Sequence, residues 1–283
     1  MIRRWHVVAL ALLGVLMLAC EQGAGGAGPA PTTGSTKGYP SSMAALGDSI
    51  TAGFGSCGTF VVCGRNSWST GTASSVDSHY SRILAKNPAI KNHAQSYAEP
   101  GAEAADLPTQ ARRAVAVKPQ YITVLIGAND ACATTPGAMT SVSSFRASVD
   151  QALARIKKGL PNTRVLVASI PNIYRLWQVG HTDADAVRTW SRFHICPALL
   201  AAPTSTAPAD DARRDQVRSR VNDYNGALQE ACHAYGKRCR WDGGRVHEVR
   251  YTLTLVNNVD YFHPNAEGQK EIAEATYPSR FTW

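Results

Sequence analysis

The chain has 283 residues, of which 44% are hydrophobic and 18% are charged, so it holds enough apolar sequence for one sizeable core. Its formal net charge is +8, yet the sequence has no lysine-rich run and no basic helix. A solvated basic surface explains this charge better than nucleic-acid binding does, and at most a weak attraction to an anionic envelope is expected.

The first segment, residues 1–20, is typical of an export signal. Two arginines precede an apolar run that ends at Ala19 and is shorter than a comfortable membrane span. The end of this run, Met17-Leu-Ala-Cys20, resembles a bacterial lipobox, in which the cysteine is acylated and becomes the mature N-terminus. We therefore expect an exported protein that is attached to the membrane through lipid on Cys20. The alternative is a secreted protein that is cleaved at another position.

Residues 21–40 are rich in Gly, Ala, Pro, Ser and Thr. This composition buries too little apolar surface to order itself, so we predict a flexible tether. A single domain is expected over residues 41–283. No segment after the signal is long and apolar enough to cross a membrane.

Apolar strand-like runs alternate with helical patterns along the expected domain. Such alternation predicts a three-layer α/β/α sandwich with a central parallel sheet that is covered on both faces. Loops are predicted over residues 55–77 and 201–210. In chain order, the predicted elements are strand Met43–Leu46, helix Ala102–Lys118, strand Tyr121–Ile126, helix Ser144–Leu160, strand Arg164–Ile170, helix Asp211–Tyr235 and helix Asn265–Tyr277.

Two polar motifs follow predicted strands, where sites form in parallel sheets. Gly47-Asp48-Ser49-Ile50 follows the first strand, and its glycine permits a tight turn that exposes the Ser49 hydroxyl. Gly127-Ala-Asn129-Asp follows the strand at Tyr121–Ile126, and an Asn side chain there can donate an N–H to a developing oxyanion. Each motif alone has an ordinary alternative, since serines after strands are common and Asn is a usual turn residue.

A third motif, Asp260-Tyr-Phe-His263, opens the last predicted helix. An Asp three residues before a His can hold the imidazole from the side, which fixes its tautomer and favours the imidazolium that forms when a serine loses its proton. The alternative is a helix start that carries a surface histidine.

In this order, the three motifs resemble those of the SGNH hydrolases, also called the GDSL esterase/lipase family, from about Met43 to Tyr277. The resemblance implies a flavodoxin-like fold and ester hydrolysis by acyl transfer, without a metal or an organic cofactor. It also implies that Ser49 is the nucleophile, that His263 is the base and that Asp260 orients the base.

The same resemblance implies an oxyanion hole that is built from the backbone N–H groups of Ser49 and Gly101 and from the side chain of Asn129. The family's Asn-x-Ala-x-x-Gly block matches Ser96-Tyr-Ala-Glu-Pro-Gly101 in spacing, with Ser96 in place of Asn. Asn92-x-Ala also starts the pattern, but it lacks a glycine at the right distance.

Six cysteines remain after Cys20, and an even number in an exported chain favours disulfides. Proximity in the sequence suggests the short-range pairs Cys57–Cys63 and Cys232–Cys239. The long-range pair Cys132–Cys196 then remains, although other pairings are open. Zinc is the alternative near Cys232, His233, Cys239 and His247, where no C-x-x-C knuckle exists. By the resemblance, the chain also looks like a cysteine-rich, exported actinobacterial branch in which a cysteine follows the Gly-x-Asn-Asp block, as Cys132 does here.

The expected partner is a lipid or small acyl ester, bound by a monomer. Two alternatives stay open on the sequence. One is a non-catalytic envelope lipoprotein that binds glycan or lipid. Such a binding protein would have no need of all four residues Ser49, Asn129, Asp260 and His263, so their presence argues against it. The other keeps the same site for acyl transfer to a sugar or lipid, or for sugar deacetylation.

The lipobox-like motif generates a prediction about membrane attachment. The wild-type protein is expected to partition into the detergent phase after expression in a bacterial host, and Cys20→Ala is expected to partition into the aqueous phase because it lacks the acylated thiol. An N-terminal sequence that begins well beyond Cys20 in the mature protein would contradict lipidation.

Overall fold

The computed structural model describes residues 38–283. The expected signal segment, Cys20 and most of the expected tether lie outside the described residues. The described part is built around a five-stranded sheet in which every neighbouring pair is parallel and the order is β2-β1-β3-β4-β5. The strands are β1 (Met43–Gly47), β2 (Ala94–Ser96), β3 (Tyr121–Leu125), β4 (Arg164–Val167) and β5 (Cys239–Trp241).

The two central strands, β1 and β3, pair along their whole length, from Met43 opposite Tyr121 to Gly47 opposite Leu125. Every residue of both strands is buried. This burial accounts for their continuous apolar sequences, because a parallel sheet is covered on both faces. Since the two strands end level with each other, the segments that follow them leave the sheet side by side.

Helices cover the sheet, which confirms the predicted α/β class. They are α1 (Ser49–Ala52), α2 (His79–Leu84), α3 (Leu107–Ala116), α4 (Ala128–Ala131), α5 (Val142–Gly159), α6 (Ile173–Gly180), α7 (Ala184–Phe193), α8 (Pro197–Leu200), α9 (Pro208–Tyr235), α10 (Arg245–Glu248) and α11 (Ala266–Thr276). Among helices in residues 38–283, none is long and apolar enough to span a membrane.

The long helices α3, α5 and α9 pack side by side. Helices α2 and α11 are tied to β3 by buried polar contacts: His79 lies 2.9 Å from both the Tyr121 hydroxyl and the Thr276 hydroxyl through its two ring nitrogens. Some helix starts are fixed by side-chain caps, as where Ser141 accepts from the Ser144 N–H at the start of α5. These helices enclose a single continuous core around the sheet.

The three predicted strands are present, with differences at their ends. The strand predicted to run to Ile170 ends at Val167, and the Ile170 N–H instead bonds to the Asn225 side chain. The helix predicted over Ala102–Lys118 is α-helical only within α3, after a 3₁₀ turn at Ala104–Asp106. Strands β2 and β5 were not predicted, because each has three residues at a partly exposed sheet edge and neither contains an apolar run.

Three disulfides join the pairs that proximity suggested. Cys57–Cys63 and Cys232–Cys239 close short loops with Cα–Cα distances of 6.0 and 5.3 Å, and Cys132–Cys196 joins the end of α4 to the start of α8 at 4.4 Å. Cys232 and Cys239 are therefore bonded to each other and are not free thiolates for zinc. The long-range bond fastens the segment that follows Asn129.

The disulfides generate a prediction about stability. The chain-entropy model assigns about 4 kcal/mol to the 64-residue separation of Cys132–Cys196 and about 2.5 kcal/mol to the 7-residue separation of Cys232–Cys239. The double Cys→Ser variant at Cys132 and Cys196 is therefore expected to lose more free energy of unfolding in urea than the matched double variant at Cys232 and Cys239. Equal losses, or the reverse order, would show that loop length does not govern these bonds.

Candidate active site

The end of β1 makes a sharp turn that presents Ser49. Gly47 has φ +147°, and a Cβ there would lie 2.1 Å from the Leu125 carbonyl oxygen, so only glycine fits. The buried Gln110 side chain holds this turn from α3: its amide N–H donates to the Gly47 carbonyl at 2.9 Å, and its oxygen accepts from the Gly47 N–H at 2.8 Å. Asp48 then caps α1 by accepting from the Ile50 N–H, which leaves Ser49 as the first helical residue.

Three predicted side chains form one hydrogen-bonded series. His263 Nε2 lies 2.8 Å from Ser49 Oγ, and His263 Nδ1 lies 2.7 Å from Asp260 Oδ2. Asp260 Oδ1 accepts from the backbone N–H groups of Phe262 and His263 at 2.8 and 2.9 Å. Ser49 is 6% exposed, and the side chains of His263 and Asp260 are 16% and 2% exposed. The carboxylate of Asp260 is thus shielded from solvent, whereas part of the His263 ring is accessible to it.

A further residue, Asn257, fixes the turn that carries Asp260 and His263. Its side-chain oxygen accepts from the N–H groups of Val259 and Asp260 at 2.8 and 2.9 Å, and its amide donates to the His263 carbonyl at 3.1 Å. Its backbone N–H also donates to this carbonyl, at 2.9 Å. Sequence reasoning missed Asn257, although an Asn three residues before an Asp is a turn signal that could have revealed it.

Asn129 and Gly101 lie near each other, at the carboxyl end of the sheet, where Ser49 also lies. Asn129 follows β3, and its side-chain amide donates to the carbonyl of Ala102, which follows Gly101, at 2.8 Å. The loop after β2 is anchored to β1 where the Glu99 N–H donates to the Gly47 carbonyl at 3.2 Å. A primary amide has two hydrogens, so the Asn129 amide keeps one for another acceptor.

Three carboxyl groups at this end of the sheet have shifted pKa values. Burial raises the pKa of Asp260, but hydrogen bonds from His263 outweigh it and hold the pKa below its ordinary value. Burial raises the pKa of Asp48 to about 7 and that of Asp130 to about 6. Each carboxyl accepts one backbone hydrogen bond, from Ile50 at Asp48 Oδ1 and from Ala104 at Asp130 Oδ2, and this bond only partly offsets the loss of hydration. The other oxygens, Asp48 Oδ2 and Asp130 Oδ1, have no hydrogen-bond partner within residues 38–283.

A small apolar cavity of about 20 Å³ lies next to the chain segments that carry Ser49 and His263. Ile50, the neighbour of Ser49, and Phe262, the neighbour of His263, both line it, together with Ile173 and Leu176 of α6. In the described part of the chain, no cluster of three His, Cys, Asp or Glu side chains is arranged to hold a metal ion.

The family model "GDSL-like Lipase/Acylhydrolase" matches residues 43–276, and the chain therefore belongs to this family of carboxylic ester hydrolases. No curated protein sequence matches the chain.

Among solved structures, an extracellular lipase from Streptomyces rimosus is similar at 15% identity, with 84% of this chain and 99% of that chain covered and a TM-score of 0.48. An acetyl-xylooligosaccharide esterase from Geobacillus is similar at 14% identity, with coverage of 86% and 94% and a TM-score of 0.49. A family 3 carbohydrate esterase from Clostridium thermocellum is similar at 13% identity, with coverage of 83% and 92% and a TM-score of 0.48.

The buried Asp48 carboxyl generates a prediction about pH and stability. Its pKa rises on folding from 3.8 to about 7, so the folded state binds the proton more tightly. The contribution of this proton to the free energy of unfolding is fully present below about pH 4. It is lost as the pH rises to about 7, at up to ~1.4 kcal/mol per pH unit. Asp48→Asn cannot titrate, and its free energy of unfolding relative to wild type is therefore expected to rise from pH 4 to pH 7 in urea titrations.

Asp223 is exposed on α9, and Asp223→Asn provides a matched control. A pH trend of equal size in both variants would not be specific to the buried position of Asp48. If the Asp48→Asn difference is constant from pH 4 to pH 7, the carboxyl of Asp48 does not carry the proton that burial assigns to it.

Proposed function

We propose that the protein hydrolyses carboxylic esters through an acyl-enzyme that forms on Ser49. The observation that carries this proposal is the series from Asp260 Oδ2 through His263 to Ser49 Oγ, with distances of 2.7 and 2.8 Å. Both distances lie within the range of a nucleophile–base and a base–carboxylate hydrogen bond. A non-catalytic binding protein would gain nothing from a shielded carboxylate that is aligned on a histidine and a serine.

The Asp260 carboxylate determines which histidine nitrogen can act as the base. Because Oδ2 accepts a hydrogen bond from His263 Nδ1, the proton of the neutral imidazole is held on Nδ1. The lone pair of Nε2 then faces Ser49 Oγ and can take its proton. The carboxylate also stabilises the imidazolium that forms, and it stays ionised in this role because its pKa is held low.

In the proposed reaction, Ser49 Oγ attacks the ester carbonyl carbon while His263 takes the hydroxyl proton. The carbonyl oxygen becomes an oxyanion, which the N–H groups of Ser49 and Gly101 and the free hydrogen of the Asn129 amide would stabilise. Collapse of this intermediate breaks the bond to the alcohol oxygen, and His263 gives that oxygen its proton. Water, activated by the same histidine, then attacks the acyl-enzyme and releases the acid.

We also propose that the enzyme acts in the cell envelope, as a domain over residues 41–283 that a tether and lipid on Cys20 hold at the membrane. The three disulfides support export, because such bonds persist in oxidising compartments and are rare in the cytosol.

The proposed nucleophile is tested by Ser49→Ala in assays with soluble p-nitrophenyl esters. Loss of triad groups lowers turnover by on the order of a million-fold in a well-studied protease. We expect wild type to hydrolyse p-nitrophenyl acetate and Ser49→Ala to show no hydrolysis above background. Ser143→Ala, an exposed hydroxyl on α5, is the matched control and should keep full activity. A Ser49→Ala variant that retains most of the activity would exclude Ser49 as the nucleophile.

The proposed oxyanion donor is tested by Asn129→Ala. Because the amide would act only where charge develops on the carbonyl oxygen, kcat should fall by roughly a hundred- to a thousand-fold while KM changes little. The variant also loses the bond to the Ala102 carbonyl, so its free energy of unfolding is measured in parallel. A folded Asn129→Ala enzyme with wild-type kcat would mean that other groups stabilise the oxyanion.

A further inference from the structure

A row of apolar side chains, one partly buried and four exposed, extends from the proposed catalytic histidine across the surface. We call it the apolar ridge and define it as Phe54, Phe60, Val61, Val62 and Phe193. Four of its members are about half exposed: Phe60 at 51%, Val61 at 53%, Val62 at 52% and Phe193 at 49%. Within residues 38–283, one other large hydrophobic side chain, Val117 at 41%, is exposed to a comparable degree.

The aromatic rings of the ridge form a continuous path to the site. The Phe54 ring packs edge-on against the His263 ring, with centroids 5.0 Å apart. Phe60 lies 6.4 Å from Phe54, and Phe193 lies 6.0 Å from Phe60. Two segments that are distant in sequence, the loop after α1 and the end of α7, thus bring their exposed rings together, and Phe54 links these rings to His263.

The loop that carries most of the ridge is held in place. The Cys57–Cys63 disulfide closes it, and the Gly55 N–H donates to the Val61 carbonyl at 3.0 Å. Gly55 has φ +73°, and a Cβ there would lie 2.5 Å from the Asn257 amide nitrogen, so the loop packs closely on the turn that carries His263. The exposed rings are therefore presented on a fixed support, which lowers the entropy that binding a ligand would cost.

We propose that the apolar ridge binds the aliphatic chain of the alcohol portion of the ester substrate. This inference rests on the proposed function, and it assigns the substrate class as esters of fatty or otherwise long-chain alcohols. Exposed apolar patches of this kind mark binding surfaces for apolar ligands or partners. Because the Phe54 ring of the ridge packs against the His263 ring, the ridge begins next to the position of the reacting ester.

The chemistry of the histidine decides which part of the ester lies on the ridge. His263 gives a proton to the departing alcohol oxygen, so the alcohol portion leaves on the histidine side of the reacting carbon. The ridge begins on the ring of that histidine. The small cavity beside Ile50 and Phe262 is a separate apolar feature, because no ridge residue lines it.

Two ester series separate the alcohol side from the acyl side. The first series is the acetates of ethanol to octanol, and the second is the p-nitrophenyl esters of acetate to octanoate, all kept below their solubility limits. One fully buried methylene corresponds to about a fourfold gain in binding, so we expect kcat/KM of wild type to rise on the order of tenfold or more along the alkyl acetates.

Phe60→Ser and Phe193→Ser should each lower the octyl-to-ethyl ratio of kcat/KM by roughly three- to tenfold and leave the octanoate-to-acetate ratio unchanged. Phe60→Leu, which keeps an apolar side chain, should restore most of the octyl-to-ethyl ratio. Val117→Ser, which alters an exposed apolar residue just after α3, should change neither ratio. The substituted residues are half exposed, so all variants are expected to fold.

The outcomes distinguish the ridge from the site itself. If wild type hydrolyses no ester, the proposed function fails; if it hydrolyses esters but Phe60→Ser and Phe193→Ser keep the wild-type octyl-to-ethyl ratio, the ridge assignment alone fails. A loss confined to the acyl series would place the acyl chain on the ridge and overturn the alcohol assignment. Loss of binding to phosphatidylcholine vesicles by these variants, with both ratios unchanged, would make the ridge a membrane-contact surface instead.

Discussion

The full-length parallel pairing of β1 with β3 is the constraint on which the site depends. Because Gly47 lies opposite Leu125, the turns that carry Ser49 and Asn129 leave the sheet at one level. The Gln110 side chain then fixes the last peptide of β1 through two hydrogen bonds. A shift of this register by one residue would move one turn by about 3.3 Å relative to the other, which exceeds the tolerance of a hydrogen-bonded catalytic group.

The electrostatic character of the site follows from how its carboxyl groups are buried. Asp260 is stabilised as a carboxylate by His263 and by two backbone N–H groups, and it supplies negative charge on the histidine side. Asp48 and Asp130 adjoin Ser49 and Asn129 in the sequence, and burial raises the pKa of each. Protonation of both carboxyls below about pH 6 removes negative charge that would oppose the proposed oxyanion. The same burial makes the stability of the fold depend on pH.

Much of this arrangement could be predicted from the sequence, because local patterns encode it. The continuous apolar runs of β1, β3 and β4 revealed the parallel sheet, and the Asp260 to His263 spacing revealed a turn that aligns a carboxylate on an imidazole. Other features depend on contacts between distant segments, which no local pattern encodes. The edge strands β2 and β5 have no apolar run, and Gln110 is a buried polar residue on a helix whose pattern gives no sign of its partner.

The apolar ridge illustrates the same limit. Phe60 and Phe193 are ordinary surface hydrophobics in the sequence, and only the fold brings their rings to within 6.0 Å of each other on the path to His263. The predicted disulfide Cys57–Cys63 indicated a fixed loop but not what that loop presents. Asn257 likewise acquires its importance from accepting and donating within a turn whose geometry is visible only in three dimensions.

Activation of the Ser49 hydroxyl as a nucleophile by His263 and Asp260 can be measured by covalent labelling. A fluorophosphonate reacts with an activated serine, and intact-mass measurement with peptide mapping identifies the labelled residue. We predict one adduct per chain on Ser49 in wild type, and labelling that is slowed by several orders of magnitude in His263→Ala. No adduct on the folded wild-type protein, or an adduct on another residue, would show that His263 and Asp260 do not activate Ser49.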